Sequence, residues 1–156
     1  MPRKKPKTPA PGSLPEQVPG TSKLSRVDVS AALIFHDGKI LIAQRHAASH
    51  LGGLWEFPGG KCESGETFER CLVREILEEL GVKISVGQLF EEITHDYPGK
   101  SVRLKFFICE LVAGKPQPLD CAAFQWVSKN ALTGYEFPAA DKQLLERLMS
   151  PGMVWA

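Results

Sequence analysis

The sequence predicts an α+β domain in which a mixed β-sheet is sandwiched between α-helices. Three observations carry this. Runs rich in β-branched and aromatic residues, separated by turn residues, recur from Val27 to Ser128. An apolar stripe with a spacing of four (Phe68, Leu72, Ile76, Leu80) marks a helix in mid-chain. A second amphipathic stretch, through Leu144, Leu145 and Leu148, lies near the C-terminal end. One helix for each face would bury both sides of a single sheet.

In chain order, residues 1–25 are rich in Pro, Lys and small polar residues and show neither helical nor strand periodicity. Such a segment cannot bury enough apolar surface to offset its ordering entropy, so a disordered basic tail is expected there, with the domain over 26–150 and a short C-terminal tail at 151–156. "VDVSAALIFHDGKILIAQR" predicts a hairpin about Asp37-Gly38, because both turn residues tolerate positive φ. "LWEFPGG" reads as a short strand broken by Pro58, followed by a loop over Gly59–Gly65. The helix from Thr67 to Leu80, its stripe widened by Cys71, Val73 and Leu77, stops at Gly81. "VGQLFEEITHDY", "SVRLKFFICEL" and "AFQWVS" are the next strands, and the final helix covers about Ala139 to Met149.

A chain of 156 residues fits one domain. Its net charge of +1 hides an asymmetry: residues 1–25 carry a surplus of four positive charges, leaving a mildly acidic body. That body argues against a broad nucleic-acid face, since affinity for a phosphate backbone comes from clustered Lys and Arg. Cys62, Cys71, Cys109 and Cys121 form no C-x-x-C pair and no zinc-like cluster, so reduced thiols and a cytoplasmic location are expected. No apolar run approaches a membrane span, and no apolar segment follows the basic N-terminal residues.

The chemistry concentrates in "GGKCESGETFERCLVREILEELGV". At about 100° per residue, Glu75, Glu78 and Glu79 fall within an arc of about 100°, aimed at one patch of solvent with no cation expected on that face. Like charges so placed destabilise a helix unless a cation is bound, and hard carboxylate oxygens suit Mg²⁺ or Mn²⁺. Mg²⁺ completes its shell with substrate phosphate oxygens. A plain solvated acidic face is the alternative for this helix taken by itself.

The whole stretch has the form G-x5-E-x7-R-E-U-x-E-E-x-G-U, with U aliphatic, from Gly60 through Glu66, Arg74, Glu75, Ile76, Glu78, Glu79 and Gly81 to Val82. It resembles the Nudix box with no position missing. With "GKILIAQR", "GLWEFPGGK" and "EFPAAD", residues 27–149 look like the MutT-type nucleoside triphosphate pyrophosphohydrolases. The resemblance implies the Nudix fold, a mixed sheet between helices. It implies that Glu75, Glu78 and Glu79 hold the divalent ions together with the Gly59 carbonyl, one of the three acting as general base, while Glu66 pairs with Arg74 to brace the loop. Asp120, six residues before Trp126, matches a further metal ligand or water-activating base; a simple turn residue is its alternative.

By the same resemblance, Arg45 and Lys61 meet substrate phosphates, and Phe57 and Asp141 line the base pocket. The implied reaction is attack of water on the β-phosphorus of a nucleoside triphosphate, giving a monophosphate and pyrophosphate. The expected substrates are oxidised or modified nucleotides such as 8-oxo-dGTP. Asp141 stands where the 8-oxoguanine-selective bacterial relative has Asn, so cytidine nucleotides are an alternative, because an ionised Asp only accepts hydrogen bonds. RNA 5′ ends are a further alternative, which the basic tail favours and the acidic body does not. A non-catalytic 8-oxoguanine recognition module or a metal-binding structural protein would not need the complete box beside "EFPGGK" and "EFPAAD". A monomer or homodimer without membrane association is expected.

Overall fold

A computed structural model describes residues 25–156. The expected tail falls outside the described residues up to position 24, and the first strand already begins at Ser25. That strand, β1 (Ser25–His36), turns back into β2 (Lys39–Gln44) through Asp37 and Gly38, whose φ angles of 53° and 72° are those of a tight hairpin. β3 (Trp55–Glu56), β4 (Gly59–Lys61), β5 (Lys83–Tyr97), β6 (Lys100–Ala113) and β7 (Ala123–Ser128) complete one mixed sheet. Its order is β3-β2-β1-β6-β5, with β4 paired to β1 and β7 to β2. β1 runs parallel to β6 and antiparallel to β2 and β4.

β4 occupies positions expected to be loop. Glycine pairs are poor strand formers, but here the backbone needs them: a Cβ at Gly59 would lie 1.9 Å from the Ser30 carbonyl oxygen across the ladder. Close approach of the β1 backbone therefore fixes both the strand and its residue type.

Helix α1 (Phe68–Leu80) starts at Thr67, whose hydroxyl accepts from the Arg70 N–H at 3.1 Å. It ends at Gly81, in the left-handed region with φ 70°, whose N–H donates to the Leu77 carbonyl. Leu72, Ile76 and Leu80 bury against Ala32, Ile34, Leu41 and Phe107 on one face of the sheet. Leu77, expected in the stripe, is instead 54% exposed, because it sits off the centre of the buried arc. On the opposite face, α2 (Lys142–Met149) buries Leu144 and Leu148 against Leu33, Ile40, Ile42 and Phe106. α2 is shorter than the expected helix because Ala139–Asp141 form a 3₁₀ turn ahead of it. Nor do residues 151–156 trail away: Trp155 packs edge-on to Phe35 with ring centroids 5.5 Å apart, and its indole N–H donates to the Leu148 carbonyl. Among the described residues no helix is long and apolar enough to cross a membrane.

Candidate functional site

The α1 face is not bare of cations. Arg74, one residue before the acidic triplet, folds its guanidinium over it: Nη1 donates to Glu75 Oε2 at 2.8 Å and to Glu78 Oε1 at 3.3 Å. Nε and Nη2 grip Glu66 at 2.7 and 2.9 Å, and Nη2 also reaches the Lys61 carbonyl at 3.1 Å. The expected unneutralised face is thus corrected: an i,i+4 neighbour of Glu78 and sequence neighbour of Glu75 serves both, a contact that helical angles alone do not reveal because the long Arg stem crosses the arc. The two-pronged Arg74 contact and the Glu63 N–H hold the Glu66 carboxyl down at about 2. Glu66 and Arg74 join the loop after β4 to the middle of α1.

The loop and the helix face touch. A Cβ at Gly60 would come within 2.2 Å of Glu75 Oε1, and the Gly59 N–H donates to Glu79. Burial raises the Glu75 carboxyl, opposed by Arg74. Burial also pushes Glu79 up to about 8, helped by the charges of Glu56 and Glu75. Its Oε1 is buried without a hydrogen-bond partner.

A cavity of about 410 Å³ runs from Gly60, Lys61 and Glu79 across the sheet to Phe57 and Asp141. Phe57, buried, stacks on Phe137 with centroids 5.0 Å apart and 25° between planes. Asp141 is 7% exposed and lines the same cavity. Burial, with the charge of Glu56 behind it, pushes its carboxyl up to about 6. Arg45 lines the cavity but is not free: Nη1 donates to Glu56 Oε1 at 2.8 Å and Nε to the His50 carbonyl at 2.7 Å. Lys61 lies on the rim, exposed, beside Val29 of β1.

Sequence reasoning passed over Glu56 and Tyr97. Glu56 is the acid through which the two ends of the cleft feel each other, and its carboxyl is raised by burial against the pull of Arg45. The signal was available: a charge inside the otherwise apolar run "LWEFP" needs a buried partner. Tyr97, at the tip of the β5–β6 hairpin, reaches the cavity from a position with no motif to mark it. A larger hollow of about 600 Å³, beside Phe90, Gln143 and Arg147, contains none of these groups.

Asp120 stands apart from the cleft's main cavity, on its flank. Its N–H donates to the Glu79 carbonyl at 3.1 Å, and its exposed carboxylate meets His46 Nε2 at 3.2 Å. The two side chains border a second, small cavity of about 160 Å³ that shares Arg45, Glu56 and Glu79 with the first.

A family model described as NUDIX domain matches residues 30–147. The chain belongs to the Nudix family. A Nudix relative, the CTP pyrophosphohydrolase of Escherichia coli (strain K12), is 38% identical over 127 residues, covering 81% of this chain and 94% of its own. The 8-oxo-dGTP diphosphatase of the same strain is 31% identical over 126 residues, covering 80% and 98%. The solution structure of the E. coli ORF135 protein superimposes with a TM-score of 0.69 at 35% identity, over 83% of this chain and 96% of that one. The mixed sheet between helices is the architecture of these Nudix structures.

Nudix hydrolases depend on divalent metal ions. The residues here fit such an ion: Glu75, Glu78 and Glu79 offer hard oxygens, and Glu79 Oε1 is a buried acceptor with no donor among the described residues. Among the described residues no three acidic or imidazole groups converge on one point. Arg74 pairs with both Glu75 and Glu78 there.

Proposed function

We propose that this protein hydrolyses a nucleoside or deoxynucleoside triphosphate to the monophosphate and pyrophosphate with Mg²⁺ or Mn²⁺, and that its substrates are oxidised or modified nucleotides such as 8-oxo-dGTP. The observation that carries the reading is a cavity that joins the glycine loop and Glu79 of the acidic helix to an aromatic wall holding a buried acid. Glu75, Glu78, Glu79, the Gly59 carbonyl and Asp120 would hold the ions, which supply charge neutralisation at the phosphates and acidify the attacking water. A carboxylate oxygen of one of the three helix glutamates takes the proton of that water as its oxygen joins the β-phosphorus and the monophosphate leaves. Lys61, and Arg45 once it turns from Glu56, bind the triphosphate oxygens. Phe57 packs on the base, and Asp141 meets its hydrogen-bonding edge. Glu66 and Arg74 keep the glycine loop and the helix in register.

A second reading, CTP or modified dCTP, is favoured by Asp141, whose ionised carboxylate accepts from an exocyclic amino group. The 38% identity to a CTP pyrophosphohydrolase supports it as well. Pyrophosphate release from 8-oxo-dGTP, dGTP, CTP, 5-methyl-dCTP and triphosphorylated RNA separates these readings. Turnover of 8-oxo-dGTP well above dGTP is expected. Preference for the cytidine nucleotides would replace the first reading with the second, RNA-only activity would overturn both, and full turnover in EDTA would overturn the metal requirement.

A further inference from the structure

The β2–β7 ladder ends at Gln44 and Ala123, with one more bond from the Ala122 N–H to the Gln44 carbonyl at 2.9 Å. Beyond it the two chains diverge, and the contact between His46 and Asp120, 74 positions apart, bridges the gap. Both backbones are fixed independently of that contact. The Leu119 and Asp120 N–H groups hang on the Glu79 carbonyl at 3.0 and 3.1 Å. On the other side, the Ser49 hydroxyl and N–H both donate to the His46 carbonyl, and the Gly53 N–H donates to that of Arg45. Gly52 seals this turn, since a Cβ there would lie 2.1 Å from the Ala47 carbonyl oxygen. What remains unfixed is the rotamer of an aspartate whose side chain is 74% exposed.

We propose that His46 is a positioning residue: its ring Nε2–H holds one oxygen of the Asp120 carboxylate and leaves the other for a divalent ion beside Glu79. The inference rests on the reading of Asp120 as an ion-binding group given above. An exposed ion pair contributes at most about 1 kcal/mol to folding, so the contact acts on orientation rather than on stability. Carboxylates that bind metal are commonly held by such outer hydrogen bonds, whose loss costs about 10- to 100-fold in metal affinity or activity.

Mn²⁺ binding to the free protein, followed by the EPR signal of unbound Mn²⁺, tests this apart from turnover. His46→Leu is expected to weaken the Asp120-dependent Mn²⁺ binding about tenfold. His46→Gln, which keeps an N–H donor, should restore most of it. The double variant His46→Leu/Asp120→Asn should bind no more weakly than Asp120→Asn, because both changes remove the same oriented oxygen. Circular-dichroism melting of each variant should match the parent within about 2 °C. A loss in His46→Leu that adds in full to that of Asp120→Asn would overturn the proposal, as would failure of His46→Gln to restore binding. If Asp120→Asn itself leaves Mn²⁺ binding unchanged, the positioning role falls while the glutamate site stands.

Discussion

The two ends of the cleft are built on opposite plans. At the carboxylate end the acidic groups come from one helix and the loop just before it, within Gly59–Glu79, close together in sequence. At the aromatic end, Phe57, Tyr97, Phe106, Phe137 and Asp141 come from four separate parts of the chain. The first end is polar, partly exposed and held by one arginine through charged hydrogen bonds. The second is largely apolar and held by ring packing, with Tyr97 40% exposed at its edge. The acidic groups are thus set by local sequence, whereas the aromatic wall exists only through tertiary packing.

The sharpest way to break this comparison is Glu78→Gln. Its side chain is 60% exposed and contributes little to packing. The variant should keep its melting temperature but lose about 10²- to 10⁴-fold in kcat. Unchanged turnover would remove the helix face from the chemistry.

Asp141→Asn addresses the other end with a smaller effect. An unpaired buried polar group costs about 1–3 kcal/mol, so the ranking of nucleotides should shift by about 5- to 150-fold in kcat/KM toward bases that need a donor, with little change in metal dependence. The same variant has a pH signature. The Asp141 carboxyl rises from its ordinary range to about 6 on folding, so burying its ionised form destabilises the fold. That cost is absent at pH values below about 4, grows as pH rises to about 6 and is complete above it. Asp141→Asn should therefore gain about 1–2 kcal/mol over the parent at pH 7–8 in denaturant titrations, and nothing at pH 4. An equal gain at both pH values would deny that the carboxyl is buried as a charge beside Glu56.

The smallest effect is expected from removing residues 1–24. They carry no apolar stripe, so thermal stability and turnover of every nucleotide should stay within error of the full chain. Loss confined to RNA substrates would tie that basic segment to a longer ligand.

Much of this was legible in the sequence for the same reason that the carboxylate end is local. The Asp37-Gly38 hairpin, β7 and the span of α1 follow from turn chemistry and periodicity that act over a few residues. What the sequence withheld depends on contacts at long range. β4 forms from two glycines because β1 lies close against them. Arg74 neutralises a face that a wheel diagram leaves bare, because its stem spans more than its own position. Glu56 gains its meaning only from Arg45, Glu79 and Asp141 around it. Residues 151–156 are too short a run to show any periodicity, yet Trp155 finds Phe35 and the end of α2.

The parallel pairing of β1 with β6 sets an order of events as well as a shape. Ser25 pairs with Lys100 and Ile34 with Cys109, so each partner follows about 75 residues later in the chain. During synthesis at roughly 5–20 residues per second, β1 would wait about 4–15 seconds for its central neighbour. β5 and β6, joined by a tight turn, can zip together as soon as both emerge, but the contacts to β1 require closure of a long loop and form slowly. Because β4 leans directly on β1 through Gly59 and Gly60, the glycine loop can dock before that closure. The newborn chain would thus hold its glycine loop against β1 well before the sheet beneath α1 is complete.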